Sequence, residues 1–154
     1  MADLVEICAR FGAAALCGGI IGLNRVLNGK PAGVRLHALV SLSCALLVYA
    51  GEQMPGDGSA SRVAQGILAG LGFLGAGVIL RERGPGASHS IHHLTTAATI
   101  WSAAALGVAC GVGLYAEAAI ATATMLILLV AAIRIDRLFF GRFGDESDRG
   151  GPIS

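Results

Sequence analysis

Apolar residues in this chain run in long blocks separated by short polar segments, with none of the strict alternation that marks a half-buried strand. Crossing the hydrocarbon core takes about 20 mainly apolar residues, or about 17 at the short limit. Five blocks meet or approach that length: residues 4–23, 35–50, 63–80, 94–111 and 114–135. The second is slightly short unless its ends dip into the interface. The run from 94 to 135 is too long for one span, and Gly111, Gly113 and Glu117 break it into a tight helical hairpin. Turn chemistry fills the other gaps, as Asn28-Gly29-Lys30-Pro31, Met54-Pro55-Gly56-Asp57-Gly58 and Gly84-Pro85-Gly86. The pattern predicts an all-α, polytopic transmembrane bundle of five glycine-rich spans over residues 1–137. A polar tail follows at 138–154, too poor in apolar residues to fold alone.

Composition agrees: 55% of the 154 residues are hydrophobic and 14% charged, outside the soluble balance. The net charge of +1 gives no reason to expect a nucleic-acid partner, so only the placement of charge informs. With five spans, Arg25, Lys30, Arg35, Arg81, Arg83, Arg134, Arg137, Arg142 and Arg149 fall on one side and Arg62 alone on the other. Short cytosolic loops retain Lys and Arg, which sets the N-terminus outside and the C-terminus in the cytosol. The first block follows Asp3 and Glu6 with no basic residue before it, the reverse of a signal peptide, and is read as a retained span.

Cys8, Cys17, Cys44 and Cys110 all lie in apolar stretches without a C-x-x-C pair, which argues for small buried residues over disulfides or a thiolate zinc site. Gly70-Leu71-Gly72-Phe73-Leu74-Gly75 matches the dinucleotide pattern G-x-G-x-x-G. It sits inside a span, however, with no strand before it and no acidic residue at the ribose distance. Packing explains the glycines better, because lipid supplies no hydrophobic force between helices and small residues let backbones approach. Gly18 with Gly22, Gly66 with Gly70, and Gly107 with Gly111 form three such pairs. No cofactor is expected.

Four polar features compete for a role. Arg10 is the one basic residue within a span, a functional lead by default, with Glu6 one turn earlier as a partner. Thr95, Thr99 and Ser102 share a helix face, either bonding between helices or lining a solute path. His89, His92 and His93 cluster in one loop without an evident fourth metal ligand. Glu52 and Asp57 offer carboxylates to a hydrated Mg²⁺, although two carboxylates on a loop are ordinarily just solvated. No catalytic constellation appears, so an enzyme is the least supported class.

Three strings carry a resemblance when taken together: Gly22-Leu23-Asn24-Arg25 followed by Gly29-Lys30-Pro31-Ala32-Gly33-Val34-Arg35; Gly72-Phe73-Leu74-Gly75-Ala76-Gly77-Val78-Ile79-Leu80-Arg81; and Leu94-Thr95-Thr96-Ala97-Ala98-Thr99-Ile100-Trp101. In this order they resemble the membrane domain of the MgtC/SapB family, over roughly residues 8 to 135. The resemblance implies a multi-pass protein of the bacterial inner membrane, linked to magnesium homeostasis and acting as a regulator of other membrane proteins. Its partners would be the lipid bilayer and another membrane protein or a second copy, with Mg²⁺ as a further candidate. The alternative is a small cation transporter or channel subunit. Residues matching the family motif are Arg10, Arg25, Lys30, Pro31, Gly33, Arg35, Arg62, Gly72, Gly75, Gly77, Arg81, Thr95, Thr96 and Trp101. Asn24 and Val26 stand where members commonly carry acidic residues, which removes carboxylates that cation transport would use. Many members continue into a cytosolic ACT-like domain, and this chain is read as a short member without one.

The orientation is directly testable. A reporter fused after Arg149 is expected to be active only in the cytosol, and activity confined to the exterior would invert the topology.

Overall fold

The computed structural model describes residues 3–80 and 94–139. The loop holding Arg81, Arg83, His89, His92 and His93, and the tail beyond Phe139, lie outside the described residues. Five helices follow one another: α1 (Leu4–Leu27), α2 (Val34–Glu52), α3 (Ser59–Leu80), α4 (Leu94–Gly111) and α5 (Tyr115–Phe139). Each is long and apolar enough to cross a membrane, and the described residues contain no strand. The chain is a multi-pass membrane protein. All five predicted blocks are helices; α1, α2, α3 and α5 extend beyond them by one to four residues at various ends, because polar residues such as Arg25 and Glu52 complete the last turns at the interface.

Two helix ends use the same stop signal. Asn28 caps α1, Gly29 turns left-handed at φ 63°, and the amides of Gly29 and Lys30 donate to the carbonyls of Val26 and Arg25 at 3.0 and 2.9 Å. At the end of α4, Gly113 has φ 85°, and the amides of Gly113 and Leu114 donate to Cys110 and Ala109 at 3.0 and 2.9 Å. This is the Schellman arrangement, in which a residue free of a Cβ penalty reverses the chain while satisfying carbonyls that the helix leaves open.

The unit from the N-terminus to Thr122 is built around α2, which packs against α1, α3 and α4. Glycines decide how closely. A Cβ on Gly18 would lie 2.5 Å from the His37 carbonyl, and one on Gly22 would lie 2.7 Å from the Val34 Cα. On the other flank, a Cβ on Gly107 would collide with the Ser41 carbonyl, and one on Gly111 would stand 2.9 Å from the Ala45 carbonyl. Two of the three predicted glycine pairs therefore seat the backbone of α2 against α1 and α4, as the absence of a hydrophobic force in lipid requires. The third does not: a Cβ at Gly66 or Gly70 meets nothing within 4 Å. There α3 packs through Leu71 on Cys44, Ile100 and Ala104 and leaves its glycine pair along a groove. The second unit, from Ala123 onward, is described to Phe139 as the continuation of α5, with Ile127, Leu128 and Val130 exposed as lipid-facing residues would be.

Gly107→Ala is expected to destabilise the folded protein in detergent by about 1–3 kcal/mol, since its Cβ must displace backbone rather than a rotatable side chain. Gly66→Ala is expected to stay within about 0.5 kcal/mol. Thermal unfolding monitored by circular dichroism separates the two, and equal effects would contradict the asymmetric packing.

Candidate functional site

Burying a polar group in a membrane bundle is costly, so the few that lie inside this one stand out. At the end nearest the 28–33 turn, the last turn of α1 points Arg25 inward, the first turns of α2 bring His37 and Ser41, and the start of α4 supplies Thr96 and Thr99. All five are buried, Arg25 at 4% exposure and His37 and Ser41 at 0%. The Arg25 Nη2 donates to Thr96 Oγ1 at 2.6 Å. His37 Nδ1 faces the Gly33 carbonyl at 3.0 Å and Nε2 faces Thr99 Oγ1 at 3.1 Å, while the Thr99 hydroxyl donates to the Thr96 carbonyl at 2.9 Å.

The electrostatics of this centre are unusual. Among the described residues no carboxylate pairs with Arg25, and its Nε, like the Ser41 hydroxyl, is buried without a hydrogen-bond partner. Taking a guanidinium out of water is costly even near a helix end, and here one neutral threonine is its side-chain partner among the described residues.

The opposite end holds a second charged knot. Arg10 Nε lies 3.0 Å from Glu6 Oε1, and Nη1 lies 2.5 Å from Glu52 Oε2 and donates to the Gly111 carbonyl at 2.6 Å. Tyr115 donates to Glu6 at 3.0 Å, and the Tyr49 ring sits 5.6 Å from the guanidinium carbon, edge-on to Phe11. Arg10 thus joins α1, α2, the last carbonyl of α4 and the first turn of α5. A cation at a helix C-terminus is favourably placed against the helix dipole. Glu52, considered with Asp57 as a cation site, is engaged by Arg10 instead, while the Asp57 carbonyl accepts from Arg62 at 2.9 Å. No group of three metal-ligating side chains occurs among the described residues.

The motif residues separate accordingly. Arg25, Gly33 and Thr96 meet in the buried centre. Lys30, Pro31 and Arg35 are exposed around the 28–33 turn, where Ala32 holds a strained φ of 62°. Arg10 and Arg62 lie at the other end of the helices. A Cβ added at Gly72 or Gly77 would meet nothing within 4 Å, and one at Gly75 would lie 3.8 Å from the Ala97 Cβ. Trp101 and Thr95 are exposed, and Arg81 lies outside the described residues. The stripe of Thr95, Thr99 and Ser102 is not a single lining: Ser102 bonds its own helix at Ala98 and Thr95 faces outward, so the buried hydroxyls are Thr96 and Thr99, three residues apart. Sequence reasoning passed over His37 and Ser41. The available signal was a histidine and a serine one turn apart inside an apolar block.

Comparison with known proteins supplies the frame. The profile of the MgtC family matches residues 11–138. Protein SrpB of Synechococcus elongatus is 42% identical over 146 residues, covering 88% of this chain and 80% of its own. Protein MgtC of Brucella abortus is 41% identical, covering 84% of this chain and 52% of its own. Protein MgtC of Salmonella typhimurium is 38% identical, covering 87% of this chain and 57% of its own. The chain therefore spans little more than half the length of these two MgtC proteins. No solved structure matches it. A profile match across most of the helical region, with identity near two residues in five, leads to one conclusion: the chain belongs to the MgtC family.

Proposed function

We propose that this chain is a non-enzymatic protein of the bacterial inner membrane, linked to magnesium and ion homeostasis, that regulates another membrane protein through helix contacts. The observation that carries the reading is the unused glycine face of α3. Two glycine pairs lock α2 between α1 and α4, but a Cβ added at Gly66 or Gly70 would meet nothing within 4 Å. With Leu39, Val40, Ser43, Cys44 and Leu47 of α2 they border an open groove of about 340 Å³. A small-residue face beside a groove is what close approach by another transmembrane helix needs. The family resemblance supplies the link to magnesium.

The polar centre supports this reading over transport of cations. A solute path for a cation calls for oxygen ligands of negative or neutral character. The centre instead holds a guanidinium with no carboxylate partner among the described residues, and the carboxylates Glu6 and Glu52 at the other end are bound to Arg10. Catalysis finds little support either, because among the described residues the hydroxyl bonded to a histidine, Thr99 beside His37, is buried together with it. The exposed basic residues Lys30 and Arg35 suit anionic headgroups at the cytosolic surface.

A photoreactive residue in place of Leu74, on the groove, is expected to crosslink a discrete membrane protein in native membranes, whereas one in place of Leu16 on α1 is expected to capture lipid only. Recovery of lipid alone from both positions would overturn the regulatory reading. Purified protein in liposomes is expected to pass no Mg²⁺, and a flux that Arg25→Gln alters would establish transport instead.

A further inference from the structure

The hydrogen bonds of His37 constrain where its protons sit, independently of any partner protein. The Gly33 carbonyl can only accept, so the His37 Nδ1 that lies 3.0 Å from it carries a hydrogen. The Thr99 hydroxyl has a single hydrogen, and its oxygen lies 2.9 Å from the Thr96 carbonyl and 3.1 Å from His37 Nε2. If that hydrogen is on the Thr96 carbonyl, Thr99 can only accept from Nε2, and the ring carries two hydrogens and a positive charge. If the ring is neutral with its hydrogen on Nδ1, Nε2 becomes an acceptor and Thr99 must turn its hydrogen away from Thr96 and onto the ring. The same heavy-atom positions serve both patterns, which differ by one proton.

We propose that His37 is a buried proton-binding site, at which gain or loss of one proton on Nε2 reverses the Thr99 hydrogen bond that links α2 to α4. Histidine is the side chain whose charge ordinarily changes in the physiological range. The charged and titratable groups around it are few. From α1, Arg25 reaches Thr96 Oγ1 at 2.6 Å, one helical turn from Thr99. The α4 helix brings Thr96 and Thr99 and has no titratable side chain before Cys110 at its far end. Among its described residues α3 carries only Arg62, in its first turn. On α2 itself Arg35 is exposed and Cys44 lies two turns further on. Among the described residues no carboxylate neutralises the pair, so a proton on His37 places a second positive charge in the same packed centre as Arg25. Gain of that proton is thereby coupled to the α1, α2 and α4 contacts, the most tightly packed in the bundle.

The test uses the full chain in lipid nanodiscs, labelled with ¹⁵N-histidine, with His89, His92 and His93 replaced by Gln so that only His37 reports. Spectra at about pH 4 and about pH 8 reach below the range in which a histidine ordinarily changes charge, because the added proton is a second positive charge beside buried Arg25. The expected result is two protonated ring nitrogens at the lower pH and an Nδ1-protonated neutral ring at the higher, with the Thr99 side-chain signals changing over the same interval. Thr99→Ser, which keeps the hydroxyl, is expected to preserve both ring forms. Thr99→Val is expected to move the Nε2 resonance of the neutral ring toward that of a nitrogen without a donor. One ring form at both pH values, or a Thr99→Val spectrum identical to that of the unsubstituted residue in a chain of unchanged helicity, would overturn the assignment.

Discussion

Lipid surrounds an apolar helix as comfortably as another apolar helix does, so something other than hydrophobic burial must hold this bundle together. Close approach of backbones supplies it. The α2 main chain is seated on Gly18 and Gly22 from one side and on Gly107 and Gly111 from the other, at separations that leave no room for a Cβ. Ser41 sits where both flanks converge, its Cβ against Gly18 and its carbonyl against Gly107. Every other feature of the core hangs on this contact. Only at such distances can Thr99 of α4 reach the His37 ring of α2, and Arg25 of α1 reach Thr96 of α4.

The two ends of the core solve the problem of buried charge in opposite ways. At one end Arg10 has two carboxylates, a helix C-terminal carbonyl and an aromatic face, so its charge is compensated and its role is to tie chain segments together. At the other end Arg25 has a threonine hydroxyl and an unsatisfied Nε. Among the described residues no carboxylate compensates this charge, which makes it poorer glue than Arg10. Arg10 drew attention first in the sequence because its isolation within a span was visible. Arg25 looked like one of many basic residues at the end of a span, and only the close packing of α1 on α4 turned it inward.

Much of the fold was legible because hydropathy and turn glycines both derive from the same constraint, the thickness and polarity of a bilayer. The breaks at Gly29 and Gly113 followed from chain-reversal chemistry, and both are left-handed turns that close a helix. The candidate site was less legible. Glycine pairs announce that a helix can be approached but not from which side, so Gly66 and Gly70 read the same as Gly107 and Gly111 although their surroundings differ. Helical spacing grouped Thr95 with Thr99, whereas the side that α4 turns toward α2 selects Thr96 with Thr99. His37 and Ser41 lacked any motif, and their importance arises entirely from which neighbours the packing brings.

The central claim is that this bundle acts on another membrane protein through the open glycine face of α3, in a cell's response to magnesium. The most direct measurement is growth of a strain deleted for this gene at graded Mg²⁺, complemented by the unaltered chain or by Gly70→Leu, which fills that face, at matched membrane abundance. The account predicts a defect confined to low Mg²⁺ that the unaltered chain repairs and Gly70→Leu does not. Growth indifferent to Mg²⁺, or full repair by Gly70→Leu, would contradict it.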